Sequence, residues 1–131
     1  MIKTVYVIAG PTATGKSELA ISLGNKINGA VINSDSMQVY KNLEILTARP
    51  SSNEMKNIDH HLYGFVDGNE RYNVERWCND ASEIIKQTSA NNIFPILVGG
   101  TGLYFKNLTD GLVEIPQIPI KLRNKIRLLN K

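Results

Sequence analysis

One cysteine, Cys78, is the only thiol in the 131 residues. That excludes an internal disulfide framework and a metal site built from cysteines, and it suits a reducing compartment, with the cytoplasm as the default. No apolar run approaches the roughly 20 residues needed to span a bilayer. The segment from Met1 to Gly10 is apolar but short, lacks a cleavage-like ending and runs straight into a glycine motif, so it does not read as a signal peptide. Charge of one sign is also scarce: 15 Lys and Arg against 12 Asp and Glu leave a net +3, too little to imply a nucleic-acid partner. Repeats and low-complexity tracts are absent. The remaining composition, 42% hydrophobic and 21% charged, is that of one soluble globular unit with one core.

What is present begins with a strand. Thr4 to Ala9 is continuously apolar and β-branched or aromatic, the pattern of a buried parallel strand, and Gly10-Pro11 stops it. From Lys16 to Asn28, Leu19, Ala20, Leu23 and Ile27 recur at helical spacing, and Asn28-Gly29 is a stop signal. Between them lies Gly10-Pro11-Thr12-Ala13-Thr14-Gly15-Lys16-Ser17, a full match to G-x-x-x-x-G-K-[ST] in the strand-loop-helix context the motif requires. Glycines let the backbone wrap a phosphate, and the loop amides and helix N-terminus supply fixed positive dipoles. Lys16 adds a mobile cation, and the Ser17 hydroxyl can hold Mg²⁺. The motif implies a bound oligophosphate without naming a reaction.

Ala30 to Asn33 reads as a second strand delivering Ser34, Asp35 and Ser36 at its C-terminal end, where active sites of open α/β sheets form. Lys41 to Asp59 cannot be placed firmly. His61 to Val66 is strand-like and Asp67-Gly68-Asn69 turns it. Adjacent histidines on a strand face opposite ways, so His60 and His61 read as hydrogen-bonding residues rather than a metal pair. Asn73 is the expected N-cap of a helix lined by Val74, Trp77, Ala81, Ile84, Ile85 and Thr88. Ile93 to Val98 is another buried strand, ended by Gly99-Gly100, and Thr101 to Leu108 reads as the next helix. Trp77 and Tyr104 are expected in the core. A basic helix starts after Pro119 and carries Lys121, Arg123, Lys125 and Arg127. The expected fold is α/β, with a parallel sheet in a three-layer arrangement like that of P-loop NTPases.

Three further segments complete the pattern: Asn33 to Tyr40 with its D-S-x-Q-V-Y core, Thr47-Ala48-Arg49-Pro50 with His60-His61-Leu62, and Val98-Gly99-Gly100-Thr101-Gly102-Leu103-Tyr104. With the phosphate loop, in this order and spacing, they resemble the tRNA dimethylallyltransferase family over essentially the whole chain. The resemblance implies transfer of a five-carbon isoprenoid from dimethylallyl diphosphate to the exocyclic amine of the adenosine 3′ of the anticodon in tRNA. It implies that Gly10, Pro11, Thr12, Ala13, Thr14, Gly15, Lys16 and Ser17 hold the diphosphate, with Mg²⁺ on Ser17. By the same resemblance Asp35 is the general base and Thr101 a catalytic residue beside the leaving diphosphate. Asp35, Ser36, Met37, Gln38, Thr101 and Arg123 would contact tRNA.

Two positions depart from the family pattern, Leu46 where a glycine is usual and Arg49 where a lysine is common. Residues 1–131 are expected to be an incomplete phosphate-loop domain without the helical tRNA-binding insertion and C-terminal half. The expected assembly is a monomer, or one piece joined by a separate C-terminal fragment. The strand ending in Gly99-Gly100 lacks the metal-binding aspartate of ordinary P-loop hydrolases. The rival readings are a small-molecule or nucleotide kinase, a relative that prenylates free adenine nucleotides, and a non-catalytic remnant.

Overall fold

A computed structural model describes residues 4–43, 50–55, 57–111 and 119–129. The element order is β1 (Tyr6–Ala9), α1 (Lys16–Ile27), β2 (Gly29–Asn33), β3 (His60–His61), α2 (Val74–Ala90), β4 (Phe94–Gly99), α3 (Gly102–Asp110) and α4 (Ile120–Leu129). The four strands form one sheet in the order β1-β4-β2-β3, and every pairing is parallel. Strand β4 is therefore inserted between β1 and β2, with Ala9 opposite Gly99 and Asn33 opposite Val98. The loops leaving β1 and β2 flank the end of β4, and such a switch point opens a crevice at the strands' C-terminal ends.

Side-chain alternation along the strands divides the core in two. Val31, Ile96 and Val98 pack with Ala20 of α1 on one face, joined by Leu23, Ile27, Ile58 and Tyr63. Ile32 and Leu97 point the other way, to Trp77, Cys78 and Ala81 of α2 and Tyr104 of α3. The layers are thus helix, sheet and helix, as the sequence implies. Trp77 is fully buried, stacks on Tyr104 with ring centroids 4.6 Å apart, and donates its indole N–H to the Asn33 carbonyl at 2.7 Å. Both aromatics are core residues, as expected. Helix α2 starts where its cap predicts, with the Asn73 side chain accepting from the Arg76 amide at 2.9 Å.

Three expectations need correction. The first strand is shorter than Thr4 to Ala9 and is not buried on both faces: β1 is outermost among the described strands, which leaves Val7 53% exposed. Leu19 does not line the core side of α1 but is 57% exposed, because Ala20 and Gly24 are the buried positions of that helix. The strand expected over His61 to Val66 is only His60–His61; Leu62 at φ 64° and Gly64 at φ 55° turn the chain out of it. Val66 then makes a separate parallel bridge to Tyr40. Leu46, Thr47, Ala48 and Arg49 lie outside the described residues.

One buried group lacks a partner. Ser34 is completely buried, and its Oγ has no hydrogen bond among the described residues. A desolvated hydroxyl left unpaired costs about 1–3 kcal/mol. Ser34→Ala is therefore expected to stabilise the fold by about 1 kcal/mol, read as a higher urea midpoint at unchanged slope. A lower midpoint would mean that the hydroxyl has a partner after all.

Candidate active site

The phosphate loop takes the wrapped form its glycines allow. Ala13 at φ 60° and Gly15 at φ 83° both adopt left-handed backbone, and α1 begins at Lys16 immediately after. Thr14 Oγ1 donates to the Pro11 carbonyl at 2.8 Å, and Lys16 Nζ donates to the same carbonyl. The lysine head therefore lies over the loop that its own helix follows. Lys16 and Ser17 are partly buried, whereas Pro11 to Gly15 are exposed.

Beside this loop is a cavity of about 360 Å³ at the strands' C-terminal ends. Gly10, Pro11 and Thr12 form one wall, Asp35, Ser36 and Met37 a second, and Gly100, Thr101 and Phe105 a third. The switch-point topology thus brings the three separated motifs together around one space. Asp35 is the one titratable side chain among the described residues that line it. Its Oδ1 accepts from the Met37 amide at 2.8 Å, fixing the carboxylate in a short local turn.

Thr101 occupies the N-cap position of α3, yet its side chain makes no capping bond to that helix. Its Oγ1 accepts instead from the Ser36 amide at 3.0 Å, tying α3 to the loop that carries Asp35. Thr101 at the cap and Phe105 on α3 are four residues apart, and both line the cavity. Two phenols lie near the acid. Burial, reinforced by the Asp35 charge, holds the Tyr63 phenol well above its ordinary pKa. Burial, with Tyr40 and Asp35 adding to it, pushes Tyr104 up to about 12. Both phenols remain neutral at physiological pH.

The remaining expected residues are less closely gathered. Ser17 borders a second hollow of about 340 Å³ with Glu18, Ile21, Ser22, Pro50 and Glu54. Gln38 is half-buried, and its carbonyl accepts from the Gly64 amide at 2.9 Å. Arg123 is half-exposed on α4, which has no extensive packing with the sheet or with α1, α2 and α3 among the described residues. The structure therefore does not bring Arg123 to the cavity. His60 Nδ1 pairs with the Ile58 carbonyl at 2.8 Å, the structural role expected of it. Burial lowers the pKa of His61, and neighbouring His60 adds to that while Asp59 opposes it. No cluster of three or more His, Cys, Asp or Glu suited to a metal occurs among the described residues.

Two contributors escaped the sequence reading. Gly99 and Gly100, read there as a strand breaker, are contact surfaces: a Cβ on Gly99 would lie 2.4 Å from the Ser34 carbonyl carbon, and one on Gly100 would lie 2.9 Å from the Gly10 oxygen. Asn33, read as the last residue of a strand, clamps Asp35 through its side chain. A glycine pair facing a strand that runs into Asn-Ser-Asp was the available signal, but only the β4-β2 register turns it into a contact.

A strand, a wrapped glycine loop and a helix, with an acid at the end of a nearby parallel strand, define a phosphate-binding α/β protein of the P-loop class. A profile described as IPP transferase matches residues 38–131, and one described as isopentenyl transferase matches residues 3–64. The chain belongs to the IPP transferase family. It is 55% identical over 127 residues to a tRNA dimethylallyltransferase of Pelagibacter ubique, covering 97% of this chain and 41% of the relative. A tRNA dimethylallyltransferase of Rhizobium etli is 48% identical, with 97% and 43% covered. Among solved structures, a eukaryotic dimethylallyltransferase acting on tRNA superposes with a TM-score of 0.83 at 38% identity, covering 94% of this chain and 32% of that one. A tRNA isopentenylpyrophosphate transferase of Bacillus halodurans gives 0.83 at 32% identity, with 98% and 43% covered. The chain spans about two-fifths of the length of these curated relatives.

Proposed function

We propose that this chain carries the donor site and catalytic base of a tRNA prenyl transfer. In this reaction dimethylallyl diphosphate alkylates the exocyclic amine of the adenosine 3′ of the anticodon. The observation that carries the reading is the cavity shared by Gly10, Pro11 and Thr12 of the phosphate loop, Asp35 and Thr101. Gly10 to Ser17 hold the diphosphate through loop amides and Lys16, which stabilise the departing negative charge. The carbon–oxygen bond of the donor breaks as the nitrogen–carbon bond forms. An adenine amine is a poor nucleophile because its lone pair is delocalised into the ring, and Asp35 accepts the proton it sheds. Thr101 steadies the Asp35 loop and faces the leaving group.

The oxygen donors at the mouth of α1 suit Mg²⁺, which favours a hydroxyl and substrate phosphates over an all-protein cage. Ser17 would hold it, and when bound it neutralises charge on the diphosphate. Asp35, Ser36, Met37, Gln38, Thr101 and, from α4, Arg123 supply the tRNA contacts, with the target base turned out of its loop. No described helix is long and apolar enough to cross a membrane, and the cytoplasm, where tRNA is modified, is the proposed compartment.

Incubation with labelled dimethylallyl diphosphate and unmodified tRNA tests the reading. Label in tRNA, abolished by Lys16→Met, is expected. ATP turnover with a small acceptor and no label in tRNA would replace it by the kinase alternative.

Helix α4 favours a second reading, in which transfer needs a further polypeptide. Leu122 and Ile126 are about half exposed and Leu129 is 77% exposed, so one side of the helix is an apolar stripe. Transfer seen only after adding the C-terminal part of a relative would favour it.

A further inference from the structure

We propose that Asn33 is the positioning residue for Asp35, and that His60-His61-Leu62 acts as the strut against which it pulls. The inference rests on the proposed role of Asp35 as base. Asn33 ends β2 and is completely buried. Its Nδ2 donates to the Asp35 carbonyl at 3.0 Å and to the Leu62 carbonyl at 2.9 Å, and its Oδ1 accepts from the Asp35 amide at 2.9 Å. One side chain thus holds both backbone polar groups of the acid and uses both protons of its own amide. The Asn33 carbonyl is pinned in turn by the Trp77 indole at 2.7 Å. Asp35 is tethered before its Cα by β2 and after it by the Ser36 and Met37 amides.

The other end of the clamp explains a motif that the reaction leaves unused. Residues His60–His61 pair with Val31 and Ile32, which brings Leu62 level with Asn33. Leu62 adopts left-handed backbone at φ 64°, a conformation non-glycine residues seldom hold unless the surroundings fix it. Its carbonyl then reaches Asn33. Beyond it the chain stays bound to the same loop, with the Gly64 amide on the Gln38 carbonyl at 2.9 Å and the Phe65 amide on the Val39 carbonyl at 2.8 Å. A buried, fully used amide of this kind fixes geometry rather than supplying chemistry.

The test is amide hydrogen exchange on the whole chain, wild type against Asn33→Ala and the milder Asn33→Ser, whose hydroxyl is too short to span all three partners. Protection at Asp35, Ser36 and Met37 is expected to fall about tenfold or more, the equivalent of one hydrogen bond lost, while β4 and α2 keep theirs. In prenyl transfer, kcat is expected to fall roughly 10²-fold with the donor KM unchanged, as for a displaced catalytic group. Undiminished protection at Asp35 to Met37 overturns the proposal. So does loss of protection throughout the sheet in both variants, which would make Asn33 a general core residue. If the wild type transfers no prenyl group, alone or with the C-terminal part of a relative added, the functional reading falls, and the exchange pattern alone still decides whether Asn33 holds Asp35.

Discussion

Asp35→Asn is expected to lower single-turnover prenyl transfer by roughly 10²–10⁴-fold, the usual contribution of a positioned general base. The substitution is nearly isosteric and keeps an oxygen for the Met37 amide, so the local turn should survive. What it removes is the capacity to take a proton. Among the described residues no other titratable side chain lines the cavity, and Tyr63 and Tyr104 are held neutral by burial, so none of these neighbours substitutes for it. In the proposed reaction the diphosphate is held by the phosphate loop, whose Gly10, Pro11 and Thr12 form a different wall of the cavity, so the donor KM should stay close to that of the wild type. Rapid-quench measurement with labelled donor separates the two quantities. A kcat close to the wild-type value would take Asp35 out of the reaction.

The parts of this site written in adjacent residues were legible in the sequence, and the parts made by register were not. The phosphate loop is local, because its glycines, Lys16 and Ser17 act within one strand-loop-helix unit. The start of α2 is likewise local, since Asn73 caps an amide three residues on. Asp35 was placed correctly because a strand end is recognisable from a short apolar run. The role of Gly99 was hidden: its partner lies 65 residues earlier, and only the parallel alignment of Asn33 with Val98 sets the two together. The His60 to Val66 segment misled for a related reason. Its β-prone composition suggests a long strand, but tertiary hydrogen bonds to Asn33, Gln38 and Val39 override that preference and bend it around the Asp35 loop.

Gly99→Ala should be the most damaging single methyl group in this part of the fold. The added Cβ would stand 2.4 Å from the Ser34 carbonyl carbon, 2.6 Å from its oxygen and 2.8 Å from the Asp35 nitrogen. All three are backbone atoms, which cannot swing aside as the end of a side chain does. Relief requires β4 to part from β2, weakening the Ser34 amide to Val98 carbonyl bond of 2.8 Å, or Asp35 to move out of its wall of the cavity. Overpacking a tight site costs about 1–3 kcal/mol, and contact with rigid backbone belongs at or beyond the top of that range, so about 3 kcal/mol is expected. A control is available in Gly68, where an added Cβ meets nothing within 4 Å, and Gly68→Ala should stay within about 0.5 kcal/mol of wild type. Urea denaturation of both variants gives the comparison. Equal midpoints would mean that β4 and the Asp35 loop are not in contact, and the cavity would lose the wall that places its acid beside the phosphate loop.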